Sequence, residues 1–178
     1  MVTGAPALTI ERHLFADDGR VPNNPRLPLV VYRGALETGP GAAAACEARF
    51  AANGWSGGWR SGIYAHHHYH STAHEALGIV AGSARVRLGG ENGKTVELRA
   101  GDVVVIPAGV AHKSEAATPD FLVVGAYPQG RGPDMRTPGA RERERALANI
   151  AAVPLPAADP VGGKTGPLLA CWRGSTRD

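Results

Sequence analysis

A chain of 178 residues, 43% apolar and 20% charged, is long enough to bury one sizeable core without disulfide or metal staples. Its net charge is only +3, and its basic residues are scattered apart from Arg141, Arg143 and Arg145, which alternate with Glu142 and Glu144; this excludes the basic stripe of a nucleic-acid binder. The first residues lack the pattern of a secretory signal, no apolar run approaches the roughly 18 residues of a membrane span, and two distant cysteines, Cys46 and Cys171, suit reduced thiols in a cytoplasmic protein.

Strands are expected over Ala7–Leu14 and Leu29–Leu36, separated by turns at Asp17-Asp18-Gly19 and Pro22–Pro25. Ala42–Asn53 is rich in Ala and reads as a helix with Gly54 as its stop. Trp55–Trp59 follows as a loop whose two indoles pack on the body. Ala84–Leu88 places Val86 and Leu88 on one face and Arg85 and Arg87 on the other. Gly89–Gly93 then turns the chain into Thr95–Leu98, completing a hairpin. Val103–Ile106 is a buried strand ending at Pro107, and Phe121–Tyr127 is another. After the loop Gln129–Pro138, Thr137-Pro138 resembles a helix start, with a helix from about Gly139 to Ala152 that carries Ala146, Leu147 and Ile150 on its apolar stripe. The tail through Pro154, Pro156 and Pro160 to Trp172 reads as extended. Twenty-four glycines and fourteen prolines favour many turns and short strands. With no helices between the central strands, an antiparallel sandwich or barrel is expected. The whole chain, 1–178, reads as one domain: N-terminal strands and helix over 7–54, a barrel core over about 60–128, and a C-terminal helix and tail over 137–178.

Chemistry concentrates in two glycine-bounded segments. The first is Gly62-x5-His68-x-His70-x4-Glu75-x6-Gly82, and the second is Gly101-x5-Pro107-x-Gly109-x2-His112. His68 and His70 are two apart and share one side of a strand. Ser71–His74 gives room for a bend that returns the Glu75 carboxylate to that side. Three imidazoles and a carboxylate together suit one divalent transition metal. A lone His is usually a surface or satisfied core residue, but four at this spacing are not explained by packing. His66 shares their parity and is expected to back the ligands or lie at the pocket rim, near Tyr64. His67 should face away. His74 competes with Glu75 as a donor, but lacks the second His of a metalloprotease helix. Gly54-Trp55-Ser56-Gly57-Gly58 matches a nucleophile elbow only as a string, because a helix rather than a strand precedes it. Gly163-Lys164-Thr165 lacks the first Gly and the leading strand of a phosphate loop.

Both segments resemble the paired motifs of the cupin superfamily. The first fits at Gly62, His68, His70, Glu75 and Gly82; the second fits at Gly101, Pro107, Gly109 and His112 and departs at Ala116, where the family pattern has Asn. The resemblance covers roughly Gly62–Tyr127. The wider pattern, including Trp59–Tyr64 and Asp120–Pro128, is similar to the YjlB-like group of bacterial cupins. It implies a mainly β fold, a jelly-roll barrel of two antiparallel sheets with short terminal helices, a metal inside one mouth, and often a homodimer. The four ligands would accept Fe(II), Mn(II), Ni(II), Zn(II) or Cu(II) and leave two octahedral positions open. Val86, Leu88, Val103 and Val105 are expected to shape the pocket. The leading expectation is a small-molecule metalloenzyme, a dioxygenase or an isomerase, without nucleic-acid or membrane partners. The rivals are a non-catalytic cupin that binds a small ligand and a storage-type barrel with a structural metal.

Overall fold

The computed structural model describes residues 8–139 and 141–175. Among them, nine strands and three helices follow in order: β1 (Thr9–Phe15), β2 (Asn24–Arg33), α1 (Ala42–Ala52), β3 (Trp55–Ser61), β4 (Glu75–Ala81), β5 (Ser83–Leu88), β6 (Lys94–Arg99), β7 (Val103–Ile106), β8 (His112–Ala117), β9 (Leu122–Pro128), α2 (Arg143–Ala152) and α3 (Pro167–Gly174). The strands form two antiparallel sheets that make a jelly-roll barrel: one of six strands, ordered β1-β2-β7-β4-β9-β3, and one of three, ordered β6-β5-β8.

The two sheets differ in what they must cover, and the sequence reflects it. Between them lies a core of Leu29, Val31, Leu77, Ile79, Val104, Ile106 and Val123 from the large sheet, facing Ala84, Val86, Leu88, Val96 and Leu98 from the small one. The outer face of the large sheet carries a second core, in which Tyr32, Ala76, Val80, Val103, Val105 and Val124 meet Cys46 and Phe50 of α1 and Leu168 and Trp172 of α3. A sheet buried on both faces has no polar side, so β7 reads as an unbroken apolar run. The small sheet has one solvated face, and β5 alternates accordingly, with Arg85 exposed between buried Ala84 and Val86. Each large side chain buried under α1 or α3 contributes on the order of 2 kcal/mol. Gly78 makes this packing possible, because a Cβ there would collide with Cys46 Sγ beneath α1.

Several expectations are corrected. Trp55–Ser61 is a strand and not a loop: β3 pairs with β9, and a register shift between Ser56 and Trp59 absorbs Gly57 and Gly58. The second strand starts earlier, at Asn24, whose side-chain Oδ1 accepts the Leu27 amide and whose Nδ2 donates to the Ala108 carbonyl. α2 begins at Arg143, not near Gly139, with Glu142 in the left-handed region before it; Thr137-Pro138 lies outside the helix. Residues 167–174 form α3 where an extended tail was expected, with Pro167 at a helix start. Asp159 organises that turn. It is fully buried; Oδ1 accepts the Val161 and Gly162 amides, while Oδ2 accepts the Leu168 amide and the Tyr32 hydroxyl. Val103 and Val105 belong to the outer core, so they do not face the barrel interior.

Candidate metal centre

His68 and His112 are joined as an isolated antiparallel bridge: His68 N donates to His112 O at 3.2 Å and His112 N to His68 O at 3.0 Å. That pairing sets their rings side by side, with centroids 4.1 Å apart. His70, two residues on, projects to the same side, its ring centroid 5.6 Å from that of His68. Tyr69 between them points the other way, into a small cluster with Val21, Ala111 and Ala146. One ligand atom from each of His68, His70 and His112 falls within 4.8 Å of the others, and all three side chains are buried.

Glu75 opens β4 opposite Ile106 and faces the same interior as Leu77 and Ile79. Its Oε2 lies 3.4 Å from His70 Nε2 and 3.3 Å from His112 Nε2. The other ring nitrogens decide what this means. His68 Nδ1 sits 3.2 Å from the His66 carbonyl, His70 Nδ1 2.6 Å from the Asp134 carbonyl, and His112 Nδ1 3.1 Å from the Val110 carbonyl. A carbonyl only accepts, so each Nδ1 carries the proton and each neutral ring turns a bare Nε2 lone pair inward. Glu75 Oε2 is buried without a hydrogen-bond partner. Electron-rich atoms therefore face one another, Glu75 Oε2 against the Nε2 of His70 and of His112 with His68 beside them, an arrangement that only a cation or an added proton relieves. Backbone carbonyls behind the imidazoles are also what a metal-binding triad requires. The donor set fits a divalent transition ion.

The titration behaviour shows which groups resist a proton and which would take one if no ion were bound. Burial, with His112 close by, pushes the His68 imidazole down to about 3. Burial also opposes charge on His70, but the Glu75 carboxylate outweighs it and raises that imidazole. Burial would raise Glu75, yet its contacts with His112 and His70 hold the carboxyl well below the usual range. The carboxylate is thus ionised, with no arginine or lysine offsetting it.

The cavity beside these side chains has a volume of about 340 Å³. Tyr127 reaches into it from β9 and donates its hydroxyl proton to Glu75 Oε1 at 3.2 Å, while Trp59 Nε1–H donates to the same hydroxyl at 2.7 Å. The Trp59 ring packs against β9 at Gly125, where any Cβ would collide with it. Tyr64 and Met135 stand at the mouth, 57% and 52% exposed. Asp134 closes the back: its carboxylate accepts the Ser71 amide and hydroxyl at 2.6 and 2.5 Å and is held by Arg136, which pins its own carbonyl behind His70.

Of the neighbouring histidines, His66 borders the cluster, its ring centroid 5.8 Å from that of His68, while His67 and His74 turn away from it. His66 is exposed and contributes its carbonyl to His68, its ring stacking on Tyr64 with centroids 5.2 Å apart. His67 turns to Glu91 at 2.8 Å. His74 points to the opposite face of β4 from Glu75, accepts the Ala108 amide on Nδ1 at 2.9 Å and packs on Trp172 of α3. Of the apolar residues expected to shape the pocket, none lines it; Leu77, Ile63 and Met135 do. Sequence reasoning also missed Trp59, Tyr127 and Asp134. Tyr127 and Trp59 sat at the edges of the motif-bearing region, and the side-chain pattern around Asp134 carried no local signal.

Residues 57–124 match the family model for the cupin domain. The chain is similar to "Uncharacterized protein YjlB" of Bacillus subtilis (strain 168), 45% identical over 163 residues that cover 91% of this chain and 96% of that one. Among solved structures, it is similar to a Klebsiella pneumoniae protein with a double-stranded β-helix domain, with 16% identity, a TM-score of 0.37, and coverage of 76% of this chain and 84% of that one. It is also similar to a mutant of Bacillus subtilis oxalate decarboxylase, with 19% identity, a TM-score of 0.35, and coverage of 62% and 22% respectively. The 11S allergen of Cocos nucifera matches at 24% identity and a TM-score of 0.38 over 45% of this chain, which spans about a quarter (24%) of the allergen chain.

Proposed function

Since the chain belongs to the YjlB-like cupins, we propose that it is a small-molecule metalloenzyme of dioxygenase or isomerase type, its ion held by His68, His70, Glu75 and His112. One observation carries this reading: three grouped imidazoles have their Nδ1 protons committed to backbone carbonyls, and two of them, His70 and His112, turn bare Nε2 atoms toward an unpartnered carboxylate oxygen. A divalent transition ion there supplies a Lewis acid for a carbonyl or enol oxygen, or activates water or dioxygen. The protein does the rest. Asp134 and Val110 carbonyls fix ring orientation, Tyr127 holds one oxygen of Glu75, and Leu77 and Trp59 keep the inner wall apolar.

The test is access to the ion. Azide or nitric oxide added to metal-loaded protein should perturb its spectrum, and turnover of a substrate should vanish in His70→Ala without unfolding. A metal that never responds to small ligands argues for a structural ion.

A non-catalytic cupin that binds a small ligand is the second reading. Burial and the neighbouring Glu75 raise the Tyr127 phenol above its ordinary range, so this hydroxyl keeps its proton near neutral pH and acts as a fixed donor. That favours binding over proton transfer at this residue. We also propose a homodimer, supported by exposed Leu14 (59%) on the edge strand β1; sedimentation tests it. No helix among the described residues is long and apolar enough to cross a membrane.

A further inference from the structure

The walls of the cavity say more about the ligand than the donor atoms do. Beyond the three imidazoles and Glu75, the lining is mostly aromatic and aliphatic, from Trp59, Ile63, Tyr64, Leu77, Tyr127 and Met135, and the exposed Ser61 and Gly62 complete it without adding a charge. Among the described residues that line it, none is Lys or Arg. Basic residues flanking these strands in sequence are engaged elsewhere: Arg60 with Glu47, Lys113 with Glu91, and Arg136 with Asp134 and Glu142. The Tyr127 hydroxyl is already held between Trp59 and Glu75. A volume of about 340 Å³ is at the small end of ligand sites, which run from roughly 300 to 1,000 Å³.

Charge completes the reasoning. Three neutral imidazoles, one carboxylate and a divalent ion leave a single net positive charge. One anionic oxygen neutralises it. A second anionic group would have to lie against largely apolar walls with no counter-charge, which is strongly unfavourable. From this, and resting on the metal reading above, we propose that the site takes a monoanionic small molecule. A single carboxylate, enolate or phenolate oxygen meets the ion, and an apolar, preferably flat, body fills the space between Trp59, Leu77 and the mouth residues Tyr64 and Met135. Dicarboxylates and phosphorylated compounds are excluded.

Four carboxylates that share one head group isolate the two claims. Acetate, phenylacetate, hexanoate and adipate are titrated into protein loaded with Co(II), whose visible spectrum reports changes at the ion. Phenylacetate should bind at least tenfold more tightly than acetate, because only it fills the apolar body of the site. Hexanoate should bind at least tenfold more tightly than adipate, which has the same carbon chain and one more carboxylate. Met135→Arg changes an exposed residue at the mouth, so it leaves folding intact, and it should narrow the hexanoate–adipate gap at least fivefold by supplying the missing charge. Equal binding of acetate and phenylacetate, or of hexanoate and adipate, overturns the ligand class while leaving the metal centre standing. A protein that takes up no cobalt overturns the metal reading, and the ligand class falls with it.

Discussion

Acid should unfold this protein partly through a histidine that is not in the candidate site. His74 is 1% exposed, and its Nδ1 accepts the Ala108 amide. Protonation would put a hydrogen on Nδ1 facing that N–H, and Nε2 is buried without a hydrogen-bond partner. Burial first of all pushes this imidazole down to about 4, against about 6.5 in an unfolded chain. The folded form therefore refuses a proton that the unfolded chain accepts. The stability tied to neutral His74 is complete above pH 6.5, falls as pH drops below that value, and is gone below about pH 4. At pH 5 the loss is about 2 kcal/mol, and at the acid limit about 3 kcal/mol. His74→Gln keeps an acceptor for Ala108 and removes the titration. Urea unfolding of chelator-treated protein at pH 7.5 and pH 5.0 measures the difference. Wild type should lose about 2 kcal/mol more than His74→Gln between the two pH values. Equal losses in the two proteins would show that His74 is protonated in the fold and that its environment is misread.

Further outcomes follow from the same contacts. His68→Ala, His70→Ala and His112→Ala should each weaken metal binding by more than the 10–100-fold typical of removing a supporting group, whereas His67→Ala should be silent in a metal titration. Asp134→Ala removes the acceptor of the Ser71 amide and hydroxyl and loosens the carbonyl behind His70; metal affinity should fall about 10–100-fold, read by competition with a chelating dye. Asp159→Ala strands the Tyr32 hydroxyl and the Val161, Gly162 and Leu168 amides in the interior; denaturant unfolding should show a loss of about 4 kcal/mol. Tyr127→Phe frees Glu75 Oε1, and should change the spectrum of Co(II)-loaded protein while costing metal affinity less than tenfold.

What could be read from the sequence was what local periodicity and spacing encode. Strand β5 declared its faces because one side is wet, and Arg85 and Arg87 mark it. Strand β7 could not: Val103–Ile106 is apolar at every position, since both faces of its sheet are covered, and Val103 and Val105 were assigned to the wrong side. β3 looked like a loop because Ser56, Gly57 and Gly58 have low strand propensity; pairing with β9 overrides that preference. α3 was hidden by the prolines and glycines before it, and its start is fixed by Asp159, buried against Tyr32 from the other end of the chain. The spacing of His68, His70, Glu75 and His112 was legible because strand parity is local; the structure gathers the three imidazoles and sets Glu75 against His70 and His112. Trp59–Tyr127 and His70–Asp134 were not, because they join residues 68 and 64 positions apart that only the barrel makes neighbours. His74 shows the converse: sequence proximity to the cluster did not turn its ring toward it.

Metal content decides the central claim. Protein purified without an affinity tag or chelator, or stripped and reconstituted with Mn(II), Fe(II), Ni(II), Cu(II) or Zn(II), should carry close to one transition-metal ion per chain by elemental analysis, and that ion should be lost in His68→Ala and sharply depleted in Glu75→Gln while both variants remain folded by circular dichroism. Folded wild-type protein that holds no metal and takes none up would mean that a proton on His70, rather than an ion, balances Glu75, and the metal centre would be refuted.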